Sequence, residues 1–457
     1  MIVLPPGLAR SFRAVARKCV AGRARGPSPP VVARTGGGRL TLAAAFDGVV
    51  LAVEAEVAGA ADETVLVPLD LLDEVDADAS VEIDGAAGTA RWAGRGGPRT
   101  AAFAPVLPGK HHDLPPSPRS FGPVPPTFLA ALHACGAVRK TGTDAARFAL
   151  SRIQVRGEAG QVVATDGHQA LIWGGFAFPF QADRLVPAVP VFGVKELAAQ
   201  ADVRVGATDA HLVVRAGPWA VWLAIDPHAR FPDVAGAVPR TGGTIAGLDE
   251  RDAAELLAAL PGLPGGGADT DHAVTLDLDV GVVVRGRDDA TGAVGDIRLS
   301  RSPTAGPPAR VAVDRRALAR AVSLGCVTLR VVPGKPLAAE GAGRTFVAVA
   351  LDSGRVIPRA TETALARTEP PKRSTAMRPH ETNGHGPPPR PDPAGGGADP
   401  PDPLIEAEAL RTALAEAATR AARLVQALKH FRRQRRVLET AWAGLQSLGL
   451  GPAGGAP

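Results

Sequence analysis

One phrase recurs three times along this chain at an even interval, and it constrains the architecture more than any other feature. It reads V-P-L-D-L-L-D-E-V from Val67, V-P-V-F-G-V-K-E-L from Val189 and V-A-V-D-R-R-A-L-A from Val311, so consecutive copies start 122 residues apart. Each copy joins a short alternating apolar segment to a charged, helix-like stretch. A second alternating segment follows each time: Val81-Glu82-Ile83, Val203-Arg204-Val205 and Val327-Thr328-Leu329. Solenoid units repeat every ~20–50 residues, so this longer period fits a whole small domain. The first 355 or so residues therefore read as one fold used three times. Three like domains in series suggest a curved or closed object rather than a single active-site cleft.

The order of elements is similar in each copy. A helix is predicted first (Gly7 to Val20, Pro126 to Gly136, Leu248 to Leu260), and alternating valines then predict antiparallel strands. Sheets with one face covered by helices follow, giving an α+β fold of three similar domains, each with two helices packed on antiparallel sheets. The domains are expected at 1–118, 119–240 and 241–355, with Gly109 to Pro118 as a proline-rich linker between the first two. Beyond Leu351 the composition changes. Glu369 to Pro403 holds eleven prolines and five glycines in 35 residues, so 356–403 is expected to be disordered. A last amphipathic helix is expected over 404–448, with Leu410, Leu414, Leu424, Leu428, Phe431, Leu438 and Leu445 among its coiled-coil-like seam positions and Arg435 at one of them. Self-association or a partner helix suits that seam better than DNA contact by the basic run Lys429 to Arg436.

The net charge of +5 and pI of about 9.5 permit nucleic-acid contact without establishing it. Three widely spaced cysteines, Cys19, Cys135 and Cys326, argue against a disulfide framework or a zinc ribbon and read as buried thiols. No apolar run is long enough for a membrane span, and Pro5, Pro6 and Arg10 interrupt any signal-peptide core, so a cytoplasmic location is expected.

On the first helix Leu8, Phe12, Val15 and Cys19 share one face, and Arg10, Arg13 and Arg17 lie opposite. Such a helix can pack on a sheet and offer guanidiniums to phosphates, or simply present a solvated basic face. Arg139 and Lys140 beyond the second helix, and Arg315, Arg316 and Arg320 on the third copy's charged stretch, extend the basic set. The opening helix of the third copy is acidic (Asp249, Glu250, Asp252, Glu255). Val163-Ala164-Thr165-Asp166-Gly167-His168 is the most specific local string, and Asp-Gly after a strand signals a tight turn. Reading Asp166 and His168 as an acid–base pair or metal ligands lacks a third group at suitable spacing, a nucleophile elbow or a phosphate loop. His111-His112-Asp113 sits in the proline-flanked linker without further metal-ligand partners. No catalytic residue, metal site or cofactor is expected.

The strings Arg147-Phe148-Ala149-Leu150, Val163 to His168, Arg230-Phe231-Pro232-Asp233 and Val238-Pro239 resemble the middle domain of the bacterial DNA polymerase III beta subunit family, the sliding clamps. Val311 to Asp314 and Phe346 to Leu351 extend the resemblance into the third copy, and the first copy matches more loosely. It covers roughly residues 1–355, and the tail has no counterpart. The resemblance implies a non-enzymatic processivity factor: a head-to-tail homodimer ring around double-stranded DNA that tethers DNA polymerase and meets clamp-loader subunits in the nucleoid. It also implies a partner-peptide groove formed by Leu150, Thr165, Gly167, His168, Gln169, Ala170, Pro239, Val347 and Val349. Here Gln169-Ala170 replaces the family's Arg-Leu, and Val349 replaces a Met, implying a shallower or differently shaped groove. The alternative implied by these departures and the tail is a divergent paralogue acting as an interaction scaffold through its C-terminal helix, without replicative loading.

Overall fold

The computed structural model describes residues 1–20, 28–59, 61–76, 78–138, 149–267 and 272–359. All of these belong to one compact unit, Met1–Pro370. The linker expected to be disordered from 356 is ordered at its start: Ile357 is buried and its N–H donates to Thr275 Oγ1 at 2.8 Å, and Arg359 pairs with Asp277 at 2.9 Å, so the third module extends to 359; the rest of the linker and the terminal helix lie outside the described residues. Within this unit one module is built three times. The first module has β1 (Ile2–Leu4), α1 (Leu8–Ala16), β2 (Pro30–Gly36), β3 (Arg39–Phe46), β4 (Val49–Glu56), β5 (Glu63–Pro68), β6 (Val81–Asp84), β7 (Thr89–Gly94) and β8 (Gly97–Ala102). The second has β9 (Gly122–Val124), α2 (Thr127–Val138), β10 (Arg152–Arg156), β11 (Gln161–Thr165), β12 (Gln169–Trp173), β13 (Arg184–Pro187), α3 (Lys195–Ala198), β14 (Val203–Ala207), β15 (His211–Ala216) and β16 (Trp219–Ala224). The third has β17 (Thr244–Gly247), α4 (Glu250–Ala259), β18 (Ala273–Leu278), β19 (Val282–Arg287), β20 (Val294–Leu299), β21 (Thr304–Ala305), β22 (Ala309–Asp314), α5 (Arg315–Ser323), β23 (Thr328–Val331), β24 (Leu337–Gly341) and β25 (Arg344–Ala348).

The repeated phrase falls at the same place in each module, the end of a strand leading into a helical segment. That segment differs in length. In the third module Asp314 caps α5 by accepting the backbone N–H of Arg316 at 2.7 Å, and the helix runs nine residues. In the second, Pro190 and Gly193 confine it to a 3-10 turn (Pro190–Gly193) followed by the single turn α3. In the first it is a 3-10 turn (Leu69–Asp73) that stops before Glu74, Val75 and Asp76, where a β-branched residue stands between two carboxylates.

Every strand pair among the described residues is antiparallel, and two sheets run continuously from one module into the next. The eight-stranded sheet has the order β5-β2-β3-β4-β16-β15-β14-β9, and β4 meets β16 with Leu51 opposite Val221. The nine-stranded sheet has the order β13-β10-β11-β12-β25-β24-β23-β17-β21, and β12 meets β25 with Leu171 opposite Phe346. Two four-stranded sheets remain, β1-β6-β7-β8 and β20-β19-β18-β22; among their terminal strands, β8 and β20 are the counterparts of strands that pair across the internal junctions.

Burial explains why both junctions hold. Alternate residues point to opposite faces of a strand. Leu51, Val221, Leu171 and Phe346 are at most 1% exposed and join the main core beneath the helices, where Phe12 of α1 stacks on Trp219. On the opposite face, Val32, Ala43, Ala52, Val213 and Trp222 form a second cluster, covered by Leu114 and Phe121. The segment expected as a free linker is thus partly anchored: Leu114 packs there, Asp113 pairs with Arg34 at 2.8 Å, and His112 Nδ1 accepts the Gly109 N–H at 3.0 Å. The cysteines are free and buried, and burial pushes the thiols of Cys19 up to about 12 and Cys326 up to about 11. No helix among the described residues is long and apolar enough to cross a membrane.

Candidate partner groove and nucleic-acid face

The turn between β11 and β12 is held by its own side chains. Asp166 Oδ1 accepts the backbone N–H groups of His168 and Gln169, both at 2.8 Å, and its Oδ2 accepts Gln169 Nε2 at 2.8 Å. Thr165 Oγ1 donates to Gln169 O at 2.7 Å and accepts the Gly167 N–H at 3.1 Å. Gly167 has φ 91°, a left-handed conformation that disfavours any other residue, although a Cβ there would meet only Leu150 Cδ1, at 3.9 Å. Both carboxylate oxygens of Asp166 are therefore committed to the turn, which removes the support for an Asp166–His168 acid–base pair. Among the described residues no group of three or more metal-ligating side chains gathers.

This turn stands at the second junction. His168 O accepts the Val349 N–H at 2.8 Å, and Ala170 lies opposite Val347 in the β12–β25 ladder. Eight of the nine expected groove residues are brought together in this way. Pro239 follows Val238, which packs with Phe231 on a cluster of Val163, Ala170, Ile172, Val234 and Val347. The expectation needs refinement in depth. Leu150, Thr165, Ala170 and Val347 are buried and form a floor, whereas Gly167, His168 and Val349 are exposed and form the accessible lip. Beside Val349, which is 45% exposed, a cavity of about 400 Å³ opens between Val311, Pro336, Leu351 and Val356, with Lys335 at its wall. The sequence reading missed Val163, Ile172 and Val234. The alternation of Ala170 with Ile172 along β12 was the available signal for one of them.

The basic residues divide sharply. Arg10 on α1 is exposed and makes no ion pair among the described residues. Arg13 and Arg17 both pair with Asp73, Arg17 Nη2 at 2.8 Å, so one carboxylate engages two guanidiniums. Arg316 folds back onto Asp314 at 2.9 Å. Arg320 is half-buried, and Arg139 and Lys140 lie outside the described residues. Arg315 does not face a nucleic acid at all. It is buried and donates to the carbonyls of Leu263 (2.6 Å) and Pro264, and burial lowers its pKa. It stitches α5 to the segment following α4 and compensates two carbonyls that would otherwise be buried without donors.

The acidic α4 is also less acidic at its surface than its sequence. Asp249 caps the helix by accepting the Arg251 N–H at 2.9 Å. Asp252 is buried and accepts from Ser302 Oγ at 2.7 Å, Arg301 N at 2.8 Å and Arg301 Nη1 at 3.1 Å. Burial raises its pKa, but these hydrogen bonds outweigh that effect and hold it below the usual carboxylate range.

No protein-family model matches the sequence, and a search of the curated proteins returns no match. Solved structures do match. A DNA polymerase sliding clamp from Pseudomonas aeruginosa aligns with a TM-score of 0.61 at 15% identity, covering 77% of this chain and 99% of that one. The DNA polymerase III beta subunit of Thermotoga maritima aligns at 0.62 and 11% identity with the same coverages. The sliding clamp of Bartonella birtlesii, solved bound to griselimycin, aligns at 0.62 and 14% identity, again over 77% and 99%. The chain thus has the fold of the bacterial DNA polymerase III beta sliding clamps, at low sequence identity.

Proposed function

We propose that this chain is a DNA sliding clamp: a non-catalytic protein that closes around duplex DNA as a homodimer and tethers a DNA polymerase through the groove at the second junction. The observation that carries this reading is topological. Two module junctions are made by continuous antiparallel sheets, and two of the remaining terminal strands, β8 and β20, are the counterparts of the strands joined inside the chain. Two copies joined head to tail through β8 and β20 pair both of these edges and make a closed set of six modules. Closure accounts for function without chemistry, because a ring keeps its partner near DNA by raising the local concentration rather than by tight contact. Exposed arginines such as Arg10 would meet phosphates, which carry no sequence information directly. The exposed apolar lip at Val349, above the floor of Leu150 and Val347, suits a short peptide with apolar side chains. A cytoplasmic, nucleoid-associated setting goes with this role.

Light scattering of the full chain, combined with retention on circular and linearised duplex DNA, tests the reading. A dimer retained on circles and lost from free ends is the expected result. Monomers that bind both forms equally would overturn the clamp reading and favour a scaffold built on the clamp fold.

A further inference from the structure

The three modules have matching hairpins, and this fixes what would face what at a closing seam. β7–β8, β15–β16 and β24–β25 each turn through two residues, with Gly94 opposite Gly97, Ala216 opposite Trp219 and Gly341 opposite Arg344. Counting from those turns, Pro98 corresponds to Ala220 and Thr345, and Arg99 corresponds to Val221 and Phe346. On the other strand, Val49 and Gln169 follow the turns that precede β4 and β12, and Ala293, whose carbonyl accepts the Asp288 N–H at 2.9 Å, holds that place before β20. Gly295 therefore corresponds to Leu51 and Leu171, and Asp296 corresponds to Ala52 and Ile172.

The two internal junctions share one design. Leu51 faces Val221 and Leu171 faces Phe346 in the core beneath the helices, all nearly inaccessible. At the seam the same position pairs Arg99 with Gly295. A side chain at Gly295 has no space, since a Cβ would come within 2.9 Å of Pro264 Cδ. The hydrogen-bonding edge is altered too. In the internal junctions the residue after the ladder carries an outward N–H, as when Ala224 donates to Gly48 O at 2.9 Å and Val349 to His168 O at 2.8 Å. Alternation of the ladder directs the amides at positions 98, 100 and 102 the same way. Pro98 has none, leaving the Asp296 carbonyl opposite it without a donor.

We infer that a second copy of this chain pairs β8 with β20 in the register Pro98–Asp296, Arg99–Gly295 and Ala101–Ala293, and that this seam, lacking an apolar core and one ladder hydrogen bond, is weaker than the two internal junctions, so that the closed dimer parts there on dilution. The inference rests on the head-to-tail ring proposed above. It assigns the opening point to the only junction of the three that the sequence has made polar.

The test uses the full chain. The native cysteines are buried, so introduced thiols report alone. Ala101→Cys with Ala293→Cys, a pair that does not share ladder hydrogen bonds and so has close Cβ atoms, is expected to give a covalent dimer on mild oxidation. The same-face slipped pair Arg99→Cys with Ala293→Cys is expected to give little. Sedimentation velocity should show wild type dissociating on dilution, and Pro98→Thr with Arg99→Val tightening the dimer by roughly tenfold per seam or more. Self-association through the C-terminal segment would not respond to these two substitutions. Equal or faster cross-linking of the slipped pair, or a dimer that Pro98→Thr with Arg99→Val leaves unchanged, overturns the inference. Retention on circular DNA without the Ala101→Cys/Ala293→Cys cross-link would overturn the register yet leave the ring; the cross-linked dimer failing to stay on circles would uphold the seam and sink the clamp function.

Discussion

Asp73 sets how much of the charge on α1 is available to DNA. It holds Arg17 at 2.8 Å and Arg13 through both its carboxylate and its carbonyl, the latter at 3.2 Å. Replacing it with Asn keeps the side-chain shape, removes one negative charge and breaks the ion pairs of two guanidiniums one helical turn apart, with Arg13 keeping its bond to the backbone carbonyl. The pairs lie near the surface, with the Arg17 side chain 55% exposed, so the loss of stability should stay within ~1 kcal/mol. The gain on DNA is larger. Each phosphate neutralised steepens the plot of log affinity against log salt by about 0.9, so the slope should change by between ~0.9, if only the removed charge counts, and ~1.8, if both arginines reach phosphates. Near 0.1 M salt one such contact corresponds to roughly eightfold in affinity. Fluorescence anisotropy of a labelled duplex between about 50 and 300 mM salt measures both quantities, with Arg10→Ala as the opposite perturbation, expected to flatten the slope by up to ~0.9. An unchanged slope in Asp73→Asn together with an unchanged slope in Arg10→Ala would refute α1 as a DNA-facing element.

Asp252→Asn removes the charge that three donors share, and thermal or urea unfolding should show a loss of ~2–3 kcal/mol in the unit that contains α4. Because the folded pKa of Asp252 is depressed, its stabilisation is present above the usual carboxylate range and is lost as pH falls through the depressed value; wild type, but not Asp252→Asn, should lose this increment on acid titration. Arg315→Met should destabilise by ~2–3 kcal/mol by leaving two carbonyls unsatisfied, while the salt slope of DNA binding stays as in wild type. Val349→Glu places a charge on the exposed lip, so anisotropy of a labelled peptide with two neighbouring apolar side chains should show at least a tenfold loss of binding at unchanged unfolding midpoint.

The parts of the fold visible in the sequence are those governed by local period. The three starts of α1, α2 and α4, the strand before each helical segment and the strands at Val81, Val203 and Thr328 all follow from alternation and spacing, because alternation in a strand reports a buried face directly. The lengths of the second helical segments were not visible, since they depend on single breakers such as Pro190 and Gly193. Charge was read least well. Arg315 looked like a surface cation because its helix neighbours are charged, but whether it points outward depends on Leu263 and Pro264, some fifty residues earlier in the chain. The same holds for Asp252, whose partners Arg301 and Ser302 are comparably distant. The groove turn was legible because Thr165, Asp166 and Gly167 bond within five residues, whereas its neighbour Val349 arrives from another module.

The two internal junctions share one topology but expose different side chains, and the difference can be traced to single residues. Ala224 and Val349 occupy the same ladder position, donating to Gly48 O and His168 O respectively. At the first junction that position is a half-buried alanine, and Leu114 and Phe121 lie across the neighbouring apolar face. A cavity lies beside each junction, about 300 Å³ against Val50 and Leu114 at the first and about 400 Å³ against Val349 at the second; what differs is that the second position is a valine 45% exposed and that the facing turn presents Gly167 and His168 where the first presents Asp47 and Gly48. Exposed apolar surface next to a concavity marks an interaction site far better than fold identity does. A partner choosing between the junctions therefore has a reason to prefer the second. Exchanging the ladder residues, Ala224→Val and Val349→Ala, should weaken peptide binding at the second junction without creating it at the first, because the crossing chain at Leu114 still covers that face.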